Sequence, residues 1–293
     1  MTTVLKSFIN ENIQSIESEL ISLVEKIQAP DHLKESMLYS LKAGGKRVRP
    51  LYVLAVAKSF GMDLKNALTV GAAIEMIHTY SLIHDDLPCM DNDSLRRGKP
   101  TNHVVYGEAL ATLAGDALNT LAFGVIARTD VDPAIRIELV NLLSIAAGAE
   151  GMVGGQILDI EGEKRHLALE ELEQVHVNKT GALLRFSIEA GAVLAGASEA
   201  DRAALVNYGH HIGLAFQIQD DILDITASSE QLGKTAGKDL ISEKSTYPSL
   251  LTLEGAKQKL DEHYEAAIQS LQNLSIDTEL LSQFAQYIVK RNS

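Results

Sequence analysis

Two groups of aspartates carry the densest chemistry in this chain: Asp85-Asp86-Leu87-Pro88-Cys89-Met90-Asp91 and, near three quarters of its length, Asp220-Asp221-Ile222-Leu223-Asp224. Each directly follows an apolar helical stretch. Six carboxylates crowded in this way repel one another unless cations neutralise them. Asp220 and Asp224 are four residues apart and share a helical face with Gln217, one turn earlier. Pro88 limits helical continuation, so Asp91 is expected to swing back from a loop towards Asp85. Such carboxylates suit magnesium, a hard ion that keeps waters and shares its shell with phosphates. They do not make a calcium-binding EF-hand, whose glycine and closing glutamate are missing. Either cluster alone reads as well as a solvated acidic surface. Two of them, each ending a greasy helix, predict a site that holds metal-bound phosphate above an apolar cavity.

Cations are spaced to meet such a phosphate. Gly44-Gly45-Lys46-Arg47-Val48-Arg49-Pro50 brings three together after a flexible turn, combining point-charge Lys with fork-like Arg. Taken alone, it is a solvated basic turn. Arg96-Arg97-Gly98-Lys99 begins five residues beyond Asp91, and fits either ordinary charge pairing or a diphosphate held between metal and arginine. Gly233-Lys234-Thr235 imitates the end of a P-loop, but Ser228 stands where the first glycine should be and no strand precedes it. That reading is rejected, with Lys234 and Lys244 kept as phosphate contacts from a lid. His78 and the pair His210-His211 read by default as satisfied interface histidines. The run Gly151-Met152-Val153-Gly154-Gly155-Gln156, with Asp159 beyond it, puts small residues on a helix that packs closely against another. No Ser-His-Asp or Cys-His signature stands out, and Cys89 has no evident activation.

The elements that must position these residues are helices. Hydrophobic residues make up 46% of the 293, with six prolines and no tryptophan, which leans to an all-α protein. Helical periodicity recurs from Leu5 to Ile288, as in Val70, Ile74, Ile77 and Ser81, or Leu139, Leu142, Leu143 and Ala146. Strand-like alternation is nearly absent. Breaks are expected at Ala29-Pro30-Asp31, Gly44-Gly45, Phe60-Gly61, 97–101 and 129–133. Polar segments fall at 161–171 and 226–248, and the second, after the late aspartates, is a candidate lid. No proline-rich linker divides the chain, so residues 1–293 read as one domain of about ten or more helices. A formal charge of -13 argues against non-specific nucleic-acid binding. The single Cys89 allows no internal disulfide and suits a reducing cytoplasm. The N-terminus lacks the pattern of a signal peptide. The most suspicious uncharged stretch, 203–219, carries Asn207, His210, His211, Gln217 and Gln219, so no stable membrane insertion is expected.

The segments GGKRVRP, HTYSLIHDDLPCMDNDSLRRGKPT, GMVGGQILD, NKTGALLRFS, FQIQDDILD, then GKTAGKD with EKSTYP, stand in this order along the chain. In them the chain resembles the trans-prenyltransferase (isoprenoid synthase) family, over essentially its whole length and in its bacterial short-chain form. The resemblance implies a helical bundle around a deep central cavity, a homodimer, and magnesium-dependent head-to-tail condensation of isopentenyl diphosphate with an allylic diphosphate. It implies that Asp85, Asp91 and Asp220 hold magnesium, supported by Asp86, Asp221 and Asp224. Arg96, Lys179, Lys234 and Lys244 would meet the allylic diphosphate; Lys46, Arg49, His78 and Arg97 would take isopentenyl diphosphate. Thr180, Gln217 and the carbonyl of Lys179 would face the allylic cation. The GGKRVRP segment argues against a terpene cyclase on the same scaffold. With a rise of about 1.5 Å per residue, Ser81 lies one turn below Asp85 and Tyr80 just beyond. In this family an aromatic at the latter position goes with a fifteen-carbon product, so farnesyl diphosphate is expected and geranylgeranyl diphosphate is the alternative.

Overall fold

The computed structural model describes residues 2–163, 165–226 and 244–291. Lys234 and most of the 226–248 segment therefore lie outside the described residues. The architecture is all-α: α1 (Thr3–Glu25), α2 (Asp31–Leu41), α3 (Val48–Ser59), α4 (Lys65–Asp85), α5 (Asn102–Tyr106), α6 (Glu108–Ala127) and α7 (Pro133–Ala147). Then come α8 (Met152–Gly162), α9 (Leu169–His176), a π-helical turn (Val177–Gly181), α10 (Ala182–Leu194), α11 (Glu199–Thr226), α12 (Tyr247–Leu271) and α13 (Glu279–Lys290). Two-residue strands, β1 (Leu95–Arg96) and β2 (Lys99–Pro100), form a small antiparallel hairpin where the 97–101 break is expected.

The breaks follow local chemistry. Asp132 caps α7 by accepting from the amide of Ala134 at 2.7 Å, with Pro133 opening the first turn, where it has no amide to waste. Thr246 caps α12, its hydroxyl accepting from Ser249 N. Helix α4 is buried on nearly every side, from Ala67 to Ile83, and packs against α6, α3, α1 and α10. It is a core helix, so its lack of an amphipathic stripe is physical. A large apolar cluster runs from Phe8 and Phe284 through Tyr52 and Tyr208 to Tyr80. A smaller one joins Leu172 and Val175 of α9 to Ile218 and Ile222 of α11 and Tyr247 of α12. Helix α11 contributes to both, so its last turns are held from two sides.

Besides the uncharged stretch 203–219, two charged ones are more apolar: Glu108–Ala127, with mean hydropathy 1.5, and Pro133–Gly162, at 1.3. Among the described residues these two are long and apolar enough to cross a membrane by length and composition. Only 39% and 33% of their most apolar windows are buried within the chain.

Candidate active site

Helix α4 ends at Asp85, so the first acidic cluster sits at a helix C-terminus, and the second lies in the last described turns of α11. The α4 terminus already carries a negative dipole end, so added carboxylates are doubly unfavourable there without cations. The loop after Pro88 does fold back: Asp91 N donates to the carbonyl of Asp85 at 2.8 Å. Burial pushes the Asp85 carboxyl up to about 6; Lys179 opposes that rise, and Asp91 and Asp86 add to it. The Asp85 carboxylate has no hydrogen-bond or ion-pair partner among the described residues. Half-buried oxygens at a negative helix end fit a hard divalent cation, and Asp85 with Asp91 would hold it.

Three of the other carboxylates, Asp86, Asp220 and Asp221, have partners in the chain. Asp86, 3% exposed, takes the Arg96 guanidinium in a fork, with Nε at 2.8 and 2.9 Å and Nη2 at 2.5 Å. Arg96 is thus charge-paired with Asp86. Asp220 pairs with Arg291 Nη2 at 2.7 Å, and that guanidinium stacks 4.0 Å over Phe216. Asp221 accepts from Gln217 Nε2 at 3.2 Å and from Tyr247 N at 3.0 Å, tying α11 to the start of α12. Lys179 and Lys244 both reach Asp159, at 2.6 and 3.3 Å, and Lys244 also reaches Glu163 at 3.0 Å. Burial alone would raise the Asp159 carboxyl, but the two ammonium groups outweigh it and hold it below the usual range.

Three adjoining cavities join these groups. The first, about 470 Å³, has Asp85, Lys179 and Thr180 at its polar end and Tyr80, Met90, Val153 and Ile157 along its apolar wall. The second, about 430 Å³, is lined by Lys46, Arg49, His78, Arg97, Glu75 and Phe216. Arg49 and His78 belong to both. The third, about 200 Å³, shares Lys179 and Thr180 with the first and adds Gln217, Asp159 and Lys244. His78 is thus no plain interface histidine: burial, then Arg49 and the other arginines, hold its imidazole neutral well below its ordinary range. His210 and His211 lie elsewhere, His211 facing His263 on α12.

Glycines allow two close approaches. At Gly45, with φ of +137°, a Cβ would sit 2.7 Å from the Arg97 guanidinium, which itself donates to the carbonyl of Gly44. At Gly155, on α8, a Cβ would strike the backbone amide of Lys179 in the π-helical turn, which puts the glycine-rich run beside the chemistry. Gly155→Ala should therefore destabilise the protein by about 1–3 kcal/mol despite the better helix propensity of alanine. Urea denaturation would measure this, and an unchanged midpoint would mean that α8 and the turn do not touch.

Motif reading assigns no role to Asp159, to Arg291 or to the buried pair of Arg47 with Glu75. One signal was available: Glu75 is the only acid in the apolar run of α4 between Ala67 and Ile83, and a buried carboxylate implies a cation opposite.

A family model described as polyprenyl synthetase matches residues 30–279. The chain is 54% identical to the farnesyl diphosphate synthase of Bacillus subtilis (strain 168), covering 100% of both. It is 46% identical to a chloroplastic geranylgeranyl pyrophosphate synthase of Capsicum annuum, covering 98% of this chain and 79% of that one. The crystal structure of an FPP/GFPP synthase from Zymomonas mobilis superposes with a TM-score of 0.87 at 40% identity, covering 99% of this chain and 100% of that one.

Proposed function

The chain belongs to the polyprenyl synthetase family, and from that premise we propose that it makes (2E,6E)-farnesyl diphosphate. It is a prenyltransferase that joins isopentenyl diphosphate head to tail with dimethylallyl or geranyl diphosphate, on an isoprenoid synthase fold. One observation carries this reading: an acid-rimmed apolar cavity and a basic cavity adjoin and share Arg49 and His78. The allylic substrate takes the first, its chain along Tyr80 and Ser81. Isopentenyl diphosphate takes the second, among Lys46, Arg49, His78 and Arg97.

Asp85, Asp91 and Asp220 would hold the magnesium ions, whose chemistry is to stabilise charge on the departing diphosphate. The chain's own residues do the rest. Lys179, Lys234 and Lys244 meet the same diphosphate, and Arg96 does so while anchored on Asp86. The Asp221 carboxylate only accepts, so it turns the Gln217 amide N–H₂ towards itself and leaves Oε1 for the Thr180 hydroxyl, 3.2 Å away. With its proton donated to Gln217, the Thr180 oxygen offers lone pairs to the allylic cation, as does the carbonyl of Lys179. Neither is nucleophilic enough to trap it. The allylic C–O bond breaks, the double bond of isopentenyl diphosphate forms the new C–C bond, and the proton then lost goes to the released diphosphate. The neutral His78 donates a hydrogen bond to the second diphosphate without adding charge.

The whole chain acts as one domain in the cytoplasm, and as a homodimer. Leu113 of α6 and Ile137 of α7 are 56% and 70% exposed on two apolar helices, a face that suits a second copy. The deciding experiment supplies purified protein with magnesium, geranyl diphosphate and isopentenyl diphosphate, and separates products by chromatography. A fifteen-carbon diphosphate is expected. No prenyl product would overturn the reading, and a twenty-carbon product would favour geranylgeranyl diphosphate synthesis.

A further inference from the structure

Of the three cations in residues 46–49, Arg47 alone turns into the protein. Its side chain is 1% exposed, with Nη1 2.8 Å from Glu75 Oε1 and Nη2 2.5 Å from the carbonyl of Leu41. Among the described residues Glu75 is the only acid lining the basic cavity, an odd neighbour for an incoming diphosphate. Stability is a poor reason for the pair, since apolar replacements of buried ion pairs are often neutral or stabilising. Backbone geometry supplies a better one. Gly44, Gly45 and Arg47 all have positive φ, at 89°, 137° and 49°. A left-handed arginine persists only where its surroundings hold it. Here the guanidinium is clamped between the end of α2 and the middle of α4, directly before α3 begins at Val48. Three elements that supply the cradle are thereby pinned at one point: the turn brings Lys46, α3 brings Arg49, and α4 brings His78 one turn after Glu75. The carboxylate also favours the charged forms of Arg49 and Arg97, which would otherwise repel each other in an empty site.

We infer that Arg47 and Glu75 are positioning residues for the isopentenyl diphosphate cradle, locking the left-handed turn that aims Lys46 and Arg49 into one cavity. The inference rests on the reading that this cavity takes isopentenyl diphosphate. Its test is steady-state kinetics of Arg47→Lys and of the charge-free double variant Arg47→Met/Glu75→Leu, varying each substrate in turn, with thermal denaturation alongside. For the double variant, KM for isopentenyl diphosphate rises at least tenfold. Its kcat falls less than threefold, KM for geranyl diphosphate moves less than twofold, and Tm is not lowered. Arg47→Lys keeps the buried charge but loses the fork, and raises the same KM three- to tenfold. A double variant with the parent KM would reduce the pair to a packing element and overturn the inference. So would equal rises for both substrates. If the double variant fails to fold, an unchanged KM in Arg47→Lys overturns it alone. A parent protein that turns over no isopentenyl diphosphate would instead sink the functional reading. Calorimetric titration with inorganic diphosphate, comparing the parent protein with Arg47→Lys, would still read the cradle, and equal affinity would overturn the inference.

Discussion

Asp85→Asn should abolish turnover and, in the same protein, raise the stability of the magnesium-free form. The two effects have one origin. Burial pushes the Asp85 carboxyl up to about 6, against ~3.9 in an unfolded chain. The folded state therefore binds the proton more tightly than the unfolded one. That contribution is fully present below pH ~4 and is lost as pH rises through 6. At pH 7.5 the ionised carboxylate costs up to about 2–3 kcal/mol, which asparagine removes while keeping the shape. In the presence of EDTA the variant should melt up to about 5 °C above the parent protein. The parent's own decline in Tm between pH 5 and 7 should flatten in the variant. Turnover should go the other way, because on the proposed reading the charge that destabilises the empty site is the one that would hold the cation. Loss of one preorganised electrostatic partner is worth about 10² to 10³ in rate, so kcat should fall at least that far. A variant with near-normal kcat would return the aspartates to the role of an acidic surface. A lower Tm at pH 7.5 would mean that the carboxylate has a stabilising partner in the folded state.

Much of this site was legible because its logic is local. A proline after Asp86 stops α4, so the loop must carry Asp91 somewhere, and its amide returns to the carbonyl of Asp85. Gln217, Asp220 and Asp221 are set by the pitch of one helix, and α11 carries them all. The family motifs extend that legibility to Lys46, Arg49 and His78, which line one cavity, and to Lys179 and Thr180, which line the next. What stays hidden is non-local. Asp159 gathers Lys179 and Lys244 from 20 and 85 residues away, and no periodicity records that meeting. Arg291 reaches Asp220 across 71 residues. The π-helical turn at 177–181 packs against Gly155 of α8, a tertiary contact that propensity does not see.

The product of Tyr80→Ala should shift from fifteen carbons to twenty or more, and the shift should exceed any change in rate. On the proposed reading the allylic diphosphate is anchored at Asp85, and the chain grows down the wall of α4. At about 1.5 Å per residue, Ser81 lies ~6 Å and Tyr80 ~7.5 Å below that anchor. Tyr80 is 8% exposed and stands edge-on to His84, with ring centres 5.6 Å apart at 78°. His84 is in turn fixed at 3.0 Å from the carbonyl of Thr112, and Gly115 of α6 leaves room for no more than its ring. The tyrosine is therefore a braced wall that a growing chain cannot push aside. Burial, with Asp85 nearby, pushes its hydroxyl up to about 12, so the wall carries no charge at working pH. Truncation opens the cavity towards α6 and costs at most about 3 kcal/mol, since one side of the ring already faces open space. Moving bulk the other way should have the opposite effect: Ser81→Phe sets a wall one residue nearer the anchor and should stop growth at ten carbons. Product length by chromatography reads both variants. If Tyr80→Ala still ends at fifteen carbons while Ser81→Phe shortens the product, α4 is the wall of the channel but its floor lies beyond Tyr80.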